Sequence, residues 1–253
     1  MNAMNHKLPA KIIAQILPRL FLLQASWNFE RLQSLGALYV MAPGLRFLYQ
    51  GQELSMAFQR HLSYFNTHPY MASPVLGAAL ALEEAGTCGQ DSMLGVGEFK
   101  EMTMAPYAAM GDALFWGALR PLAAAVSLFF AIKGSLWAPV VFLLLFNIPH
   151  LWMRVGGFFR GYRSGLQVVE ILQKRSLPDL ALRIKEATVV LLGGLTAFLS
   201  FQLMEKEEIF PLWGFGILAA VGGVAWMIHR RASILFMVMF GVFLLIVMAW
   251  FGS

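Results

Sequence analysis

The sequence predicts an all-α integral membrane protein, and three observations predict it. Of its 253 residues, 58% are hydrophobic and only 13% charged, whereas a soluble domain carries roughly 25% charged residues. Residues 187–204, 209–228 and 232–253 contain no Asp, Glu, Lys or Arg. Each approaches the roughly 20 residues a helix needs to cross about 30 Å of hydrocarbon. The N-terminal half has shorter apolar pieces interrupted by proline, glycine and single charges, which predicts amphipathic and broken or re-entrant helices there. This composition excludes a soluble globular enzyme, a disordered chain and an ordinary nucleic-acid binder.

The first 19 residues lack a continuous apolar core followed by a small-residue cleavage site, so no cleavable signal is expected. Leu22, Ala25, Phe29 and Leu32 recur at i, i+3, i+7 and i+10, the apolar stripe of an amphipathic helix. Leu54, Phe58, Leu62 and Phe65 repeat the pattern and predict a second such helix stopping near Asn66. It stops because His68 precedes Pro69 and is steered toward extended geometry. Ser73 before Pro74 reads as an N-cap with proline at the first helical position, opening an apolar helix from Pro74 to Leu82. Glu83 and Glu84 then fall at its end, before Gly86.

Met102–Leu119 carries one formal charge, Asp112. An ionisable group at membrane depth is costly and faces a partner, water or a transport path. Trp116 shares its face and Arg120 lies one turn beyond. A carboxylate, an indole and a guanidinium on one stripe suit a sugar, since polar groups bind hydroxyls and the indole covers an apolar ring face. An Asp112–Arg120 ion pair, or a cap on a broken helix, accounts for the same residues.

Residues 121–153 read either as two helices hinged at Lys133-Gly134-Ser135 or as one span with a re-entrant partner. Segment 154–186 holds seven basic residues against three acidic and is expected to be a cytoplasmic loop. Three transmembrane helices are expected over 187–253, with the acidic turn 205–208 and the C-terminus outside. The whole chain, 1–253, reads as a single membrane domain, with its amphipathic and broken part over 15–120. The net charge of +5 is thus loop charge rather than a nucleic-acid-binding face. The single cysteine, Cys88, excludes an internal disulfide or thiolate cluster. His61, expected on a helix surface, and His68, expected in a turn, lack further metal ligands at useful spacing. No metal, no cofactor and no catalytic residue are expected.

Several stretches together resemble the IID subunit of the mannose-type sugar phosphotransferase system. They are Asn28-Phe29-Glu30-Arg31-Leu32-Gln33, His61 to Tyr70, Leu80-Ala81-Leu82-Glu83-Glu84, Gly111 to Pro121 and Phe146-Asn147-Ile148-Pro149. Their order and spacing agree from about residue 15 to the C-terminus. The resemblance implies a non-catalytic subunit of the bacterial cytoplasmic membrane that pairs with a IIC subunit to carry a hexose-type sugar. Phosphoryl transfer would belong to separate IIA and IIB subunits, and the assembly would contain several IIC–IID heterodimers. The substrate-path candidates are Asn66, Thr67, Glu83, Glu84, Asp112, Trp116 and Arg120; the partner-interface candidates are Asn28, Glu30, Arg31 and Gln33.

The chain departs from the family pattern at three places. Ala105–Met110 stands where the family is richer in glycine, the turn 205–208 is short, and Tyr70 stands where phenylalanine is common. Added bulk at 105–110 alters how closely helices approach. These departures leave open a second reading, a non-transporting structural or regulatory paralogue.

Overall fold

A computed structural model describes residues 7–89, 94–174, 176–208, 210, 212 and 214–251. Among them the regular structure is helical, with two isolated bridges, Asn28 to Leu32 and Leu32 to Phe65. The elements are α1 (Ala10–Arg19), α2 (Ser34–Leu48), α3 (Gly51–His61), α4 (Ala72–Thr87) and α5 (Val96–Gly111). A π-helical segment, Asp112–Leu119, joins α5 to α6 (Arg120–Ile132). Then follow α7 (Trp137–Ser164), α8 (Val168–Lys174), α9 (Leu177–Lys206), α10 (Gly214–His229) and α11 (Ile234–Phe251). The helical runs Val96–Ile132, Trp137–Ile171 and Leu177–Lys206 are long and apolar enough to cross a membrane. The protein is an all-α membrane protein.

Where one membrane domain was expected, the chain forms two compact units, Met1–Leu191 and Leu192–Ser253, and the division falls within α9. The core of the first unit is α4, most of whose residues are buried, packed along α7. Close approach is possible because both helices present glycine at the crossing. A Cβ on Gly77 would lie 2.3 Å from the Phe158 carbonyl oxygen, and one on Gly161 would lie 2.0 Å from that of Pro74. Small residues let helices meet where hydrophobic transfer offers no drive in lipid.

Several expected boundaries move. Residues 22–33 do not form an amphipathic helix; a 3₁₀ turn, Leu20–Leu22, leads into a looped segment. The Asn28 side chain captures the backbone N–H groups of Glu30 and Arg31 at 3.1 and 2.9 Å, and Leu32 adopts φ +51. A local side-chain acceptor thus replaces the helical ladder. Phe65 lies beyond the end of α3 and is fully buried. Helix α4 opens after Met71 rather than at a Ser73 cap, and runs past the two glutamates to Thr87.

Residues 121–153 form two helices joined through Gly134, whose φ of +65 suits glycine. The expected loop 154–186 is instead largely helical, containing the end of α7, all of α8 and the start of α9. Arg163, Glu170, Asp179, Arg183, Lys185 and Glu186 are exposed on helix surfaces, so a high charge count there does not require irregular backbone.

Candidate functional site

The site is built around the break between α3 and α4 and the π-helical segment it packs against. Gln33, next to the Leu32–Phe65 bridge, fixes the break: its Nε2 donates to the Thr67 carbonyl at 2.7 Å, and its Oε1 accepts the Thr67 N–H at 3.1 Å. Gln33, expected at a partner interface, is buried in the chain's own interior. Thr67 is buried too, held through its backbone. Asn66 is half-buried and its N–H donates to the Met104 sulfur at 3.2 Å.

His68 follows, stacked on Phe115 with ring centroids 5.2 Å apart. Its Nδ1 accepts the Tyr70 N–H at 3.3 Å. Burial first, and the Arg154 cation second, push His68 down to about 4, so at neutral pH the ring is uncharged with its proton on Nε2. Gly111 makes this fit possible, since a Cβ there would sit 2.3 Å from His68 Cβ. The ring thereby lies against the start of the π-helical turn. There the Arg120 N–H bonds to the Phe115 carbonyl, five residues back. Such segments widen the helix and are frequent at functional sites.

Trp116 projects from this turn, 39% exposed. Its ring centroid is 5.1 Å from that of His68, 5.6 Å from that of Tyr70 and 6.1 Å from that of Phe146. The Arg120 guanidinium lies 5.7 Å from the Trp116 centroid, a cation–π distance. Asp112 and Arg120 are exposed, and no ion pair joins them among the described residues. An indole with one face backed by aromatic rings and a guanidinium therefore lie together, and the exposed Asp112 carboxylate opens the same π-helical segment.

The two glutamates have different surroundings. The carboxylate of Glu83, only 2% exposed, receives hydrogen bonds from Arg60 Nε at 3.0 Å and Nη2 at 2.7 Å. Tyr49 donates to it at 2.7 Å, and His61 Nε2 stands 2.8 Å away. Burial alone would raise the Glu83 carboxyl, but hydrogen bonds from His61, Arg60 and Tyr49 outweigh it and bring it down to about 2. Burial lowers His61, so His61 meets Glu83 as a neutral Nε2–H donor and Arg60 carries the compensating charge. The histidine expected on a helix surface is thus interior, because Glu83 needs its proton. Glu84 accepts from the Tyr162 hydroxyl and from the Leu8 N–H.

Of the other interface candidates, Asn28 holds its turn, while Glu30 and Arg31 are exposed and pair with each other at 3.6 Å. Phe29, between Asn28 and Glu30, is 90% exposed. Sequence reasoning missed the Tyr49–Arg60–His61 set around Glu83 and the aromatic set of Tyr70, Phe146 and His150 behind Trp116. Two adjacent carboxylates on an otherwise apolar helix demanded hydrogen-bond donors elsewhere, and that demand was the available signal.

A family model described as the PTS system mannose/fructose/sorbose family IID component matches residues 7–253. The chain belongs to this family. Among its relatives, the mannose-specific EIID component of Escherichia coli K12 is 41% identical over 167 residues, 65% of this chain and 59% of that protein. The fructose permease IID component of Bacillus subtilis is 37% identical over 169 residues, 66% and 61% of the two chains. The matched part of this IID component thus spans about three fifths of these relatives' length. A solved chain titled as a mannose transporter ManYZ complex with microcin E492 aligns at a TM-score of 0.59 and 29% identity. It covers 97% of this chain and 98% of that one. Another, titled only as a membrane protein, aligns at 0.73 and 30% identity over 96% and 97%.

Proposed function

We propose that this IID component is the membrane subunit of a phosphoenolpyruvate-dependent sugar phosphotransferase transporter. It pairs with a IIC subunit, and together they move a hexose-type sugar whose phosphorylation is performed by separate IIA and IIB subunits. The observation that carries this reading is the family match over residues 7–253. The ManYZ chain with which this one aligns end to end is itself described as part of a mannose transporter. The working assembly is an oligomer of IIC–IID heterodimers in the bacterial cytoplasmic membrane. Segment 154–186 faces the cytoplasm and the C-terminus lies outside.

In this reading the sugar passes the surface formed by Asp112, Trp116 and Arg120. The exposed indole covers the apolar face of the pyranose ring, Asp112 accepts hydroxyl protons, and Arg120 donates to ring or hydroxyl oxygens. Asn66 adds an amide at the edge of the break. Thr67, Glu83 and Glu84 shape the path from behind, since their bonds anchor the segments that carry it. Glu30 and Arg31, with Asn28 holding their turn and Gln33 its base, present the exposed loop to the IIC subunit.

Labelled-hexose uptake with Asp112→Asn tests the path. A hydrogen bond to a charged group contributes about 1.5–3 kcal/mol, so uptake at subsaturating sugar is expected to fall by roughly tenfold or more at normal expression. Undiminished uptake removes Asp112 from the path. The altered segment Ala105–Met110 favours a second reading, a structural or regulatory paralogue. Pull-down without a IIC subunit, together with uptake that does not depend on this gene, would select that reading.

A further inference from the structure

A second cation approaches the π-helical segment from α9, and the transport reading leaves it unused. Lys185 is the last cation of α9 before the charge-free stretch 187–204. A Cβ built on Gly117 would lie 3.2 Å from the Lys185 Cε and 3.4 Å from its Nζ. The lysine stem therefore crosses the segment at its only residue without a side chain. The same Cβ position is 3.4 Å from the Asp112 carbonyl oxygen. A π-helical turn bonds residues five apart rather than four, which sets Gly117 over Asp112. The Lys185 ammonium and the Asp112 backbone thus flank one point above Gly117, the neighbour of Trp116 in sequence.

Lys185 lies on the packed side of α9. Ala181, four residues before it, and Thr188, three after, are both buried, and residues three and four apart share a helix face. Lys185 is nonetheless exposed, and no hydrogen bond or ion pair joins its ammonium to a described residue. Asp112 is likewise exposed and outside any ion pair among the described residues. Opposite charges brought to one turn without closing on each other leave room for a third group. Charged side chains on membrane-spanning helices face a partner, water or a transport path. An ammonium only donates hydrogen bonds and a carboxylate only accepts them. A hydroxyl answers both at once, whereas an anionic group would serve the lysine but be repelled by Asp112, and an amine the reverse.

We infer that Lys185 is a specificity-determining residue of the sugar path: one sugar hydroxyl bridges it to Asp112, accepting from the Lys185 ammonium and donating to the Asp112 carboxylate. Resting on the transport reading, this adds α9 to the segments that hold the sugar and selects a neutral hydroxyl at one ring position.

Uptake in a strain deleted for this gene and complemented with the full chain tests this, with labelled D-mannose, D-fructose and L-sorbose as probes at subsaturating concentration. Lys185→Met and Lys185→Gln, compared at equal abundance in the membrane, are each expected to lower uptake of the transported sugar by about tenfold, equivalent to about 1.4 kcal/mol. Combining Lys185→Met with Asp112→Asn is expected to lose no more than the worse single variant, because two partners of one hydroxyl do not act independently. Competition by monodeoxy analogues of that sugar supplies a readout that a merely structural lysine would not move. One analogue is expected to compete poorly against the unmodified chain, and that penalty is expected to vanish in both Lys185 variants. Full uptake in both Lys185 variants, an unchanged analogue profile, or independent losses in the double variant overturns the inference, while gene-dependent uptake in the unmodified strain keeps the transport reading. Uptake of all three probes that does not depend on the gene overturns both.

Discussion

Residues Met1–Leu191 and Leu192–Ser253 are built from similar apolar material, yet they use it differently. In the first unit, helices close on one another through glycine and around buried charges; α4 touches α7 at Gly77 and Gly161, and Glu83 collects Tyr49, Arg60 and His61. In the second, the large side chains of α10 and α11 are mostly exposed, and no atom of the described residues lies within 4 Å of a Cβ built on Gly193, Gly216, Gly222 or Gly241. Their sequences already differ in kind. A segment apolar on every side suits lipid, whereas a segment with sparse polar groups must provide a partner for each. The first unit is therefore where a substitution disturbs structure, and where a polar surface such as that around Trp116 is held in place.

The largest test of that contrast is Glu83→Leu. Removing one partner of a buried ion pair costs about 3–5 kcal/mol, because the remaining charge is left uncompensated. Arg60 is partly exposed and can turn outward, so a value near the lower end is expected, read as loss of the folded protein by fluorescence-detected size exclusion. Normal yield and melting temperature would show that the hub does not hold the first unit together.

Acid should act on the same group with a smaller effect. The Glu83 carboxyl is held near 2 in the folded chain, below its ordinary value of 4.5, so the folded state binds the proton less tightly than the unfolded state. Its stabilising contribution is fully present above about pH 5 and is lost as pH falls from there toward 2. The difference corresponds to about 3 kcal/mol at most. Melting in detergent should fall between pH 5 and pH 3, and Glu83→Gln should flatten that part of the profile. A profile identical in Glu83→Gln would assign the acid sensitivity to other carboxylates.

The sequence made the helical, membrane class legible, because composition and charge-free runs are summed over many residues. The break at Asn66-Thr67-His68-Pro69 was legible too, since proline restricts the residue before it. The turn at 28–32 was not, because the Leu22–Leu32 stripe fits a helix until the Asn28 side chain takes the backbone donors. The segment 154–186 was misjudged for a related reason: charge density sets solvent exposure, and an exposed helix carries it as readily as a loop. Of the candidate site, Arg120 lies 5.7 Å from the Trp116 ring, and Asp112 opens the same π-helical segment. The histidines were read too plainly, since His61 is paired with a carboxylate 22 residues away and His68 is packed against Phe115 and Gly111. Such pairings depend on tertiary approach, which no local spacing encodes.

A matched pair of glycine substitutions sharpens the comparison at the smallest scale. Gly161→Leu places a side chain where even a Cβ would lie 2.0 Å from the Pro74 carbonyl oxygen; backbone cannot yield there as a flexible side chain would. Overpacking of this kind costs about 1–3 kcal/mol and sometimes more, so the α4–α7 crossing must open or the chain must lose folded yield. Gly193→Leu, on α9, adds a side chain into space that no described atom occupies. Its expected effect is within about 0.5 kcal/mol, the range of surface changes away from special features, with glycine's lower helix propensity favouring the leucine. Thermal melts of the two variants in one detergent separate the cases. Equal destabilisation would mean that Gly193 meets a neighbour in the assembled membrane complex carried through purification, and that the second unit, like the first, uses its glycines for contact.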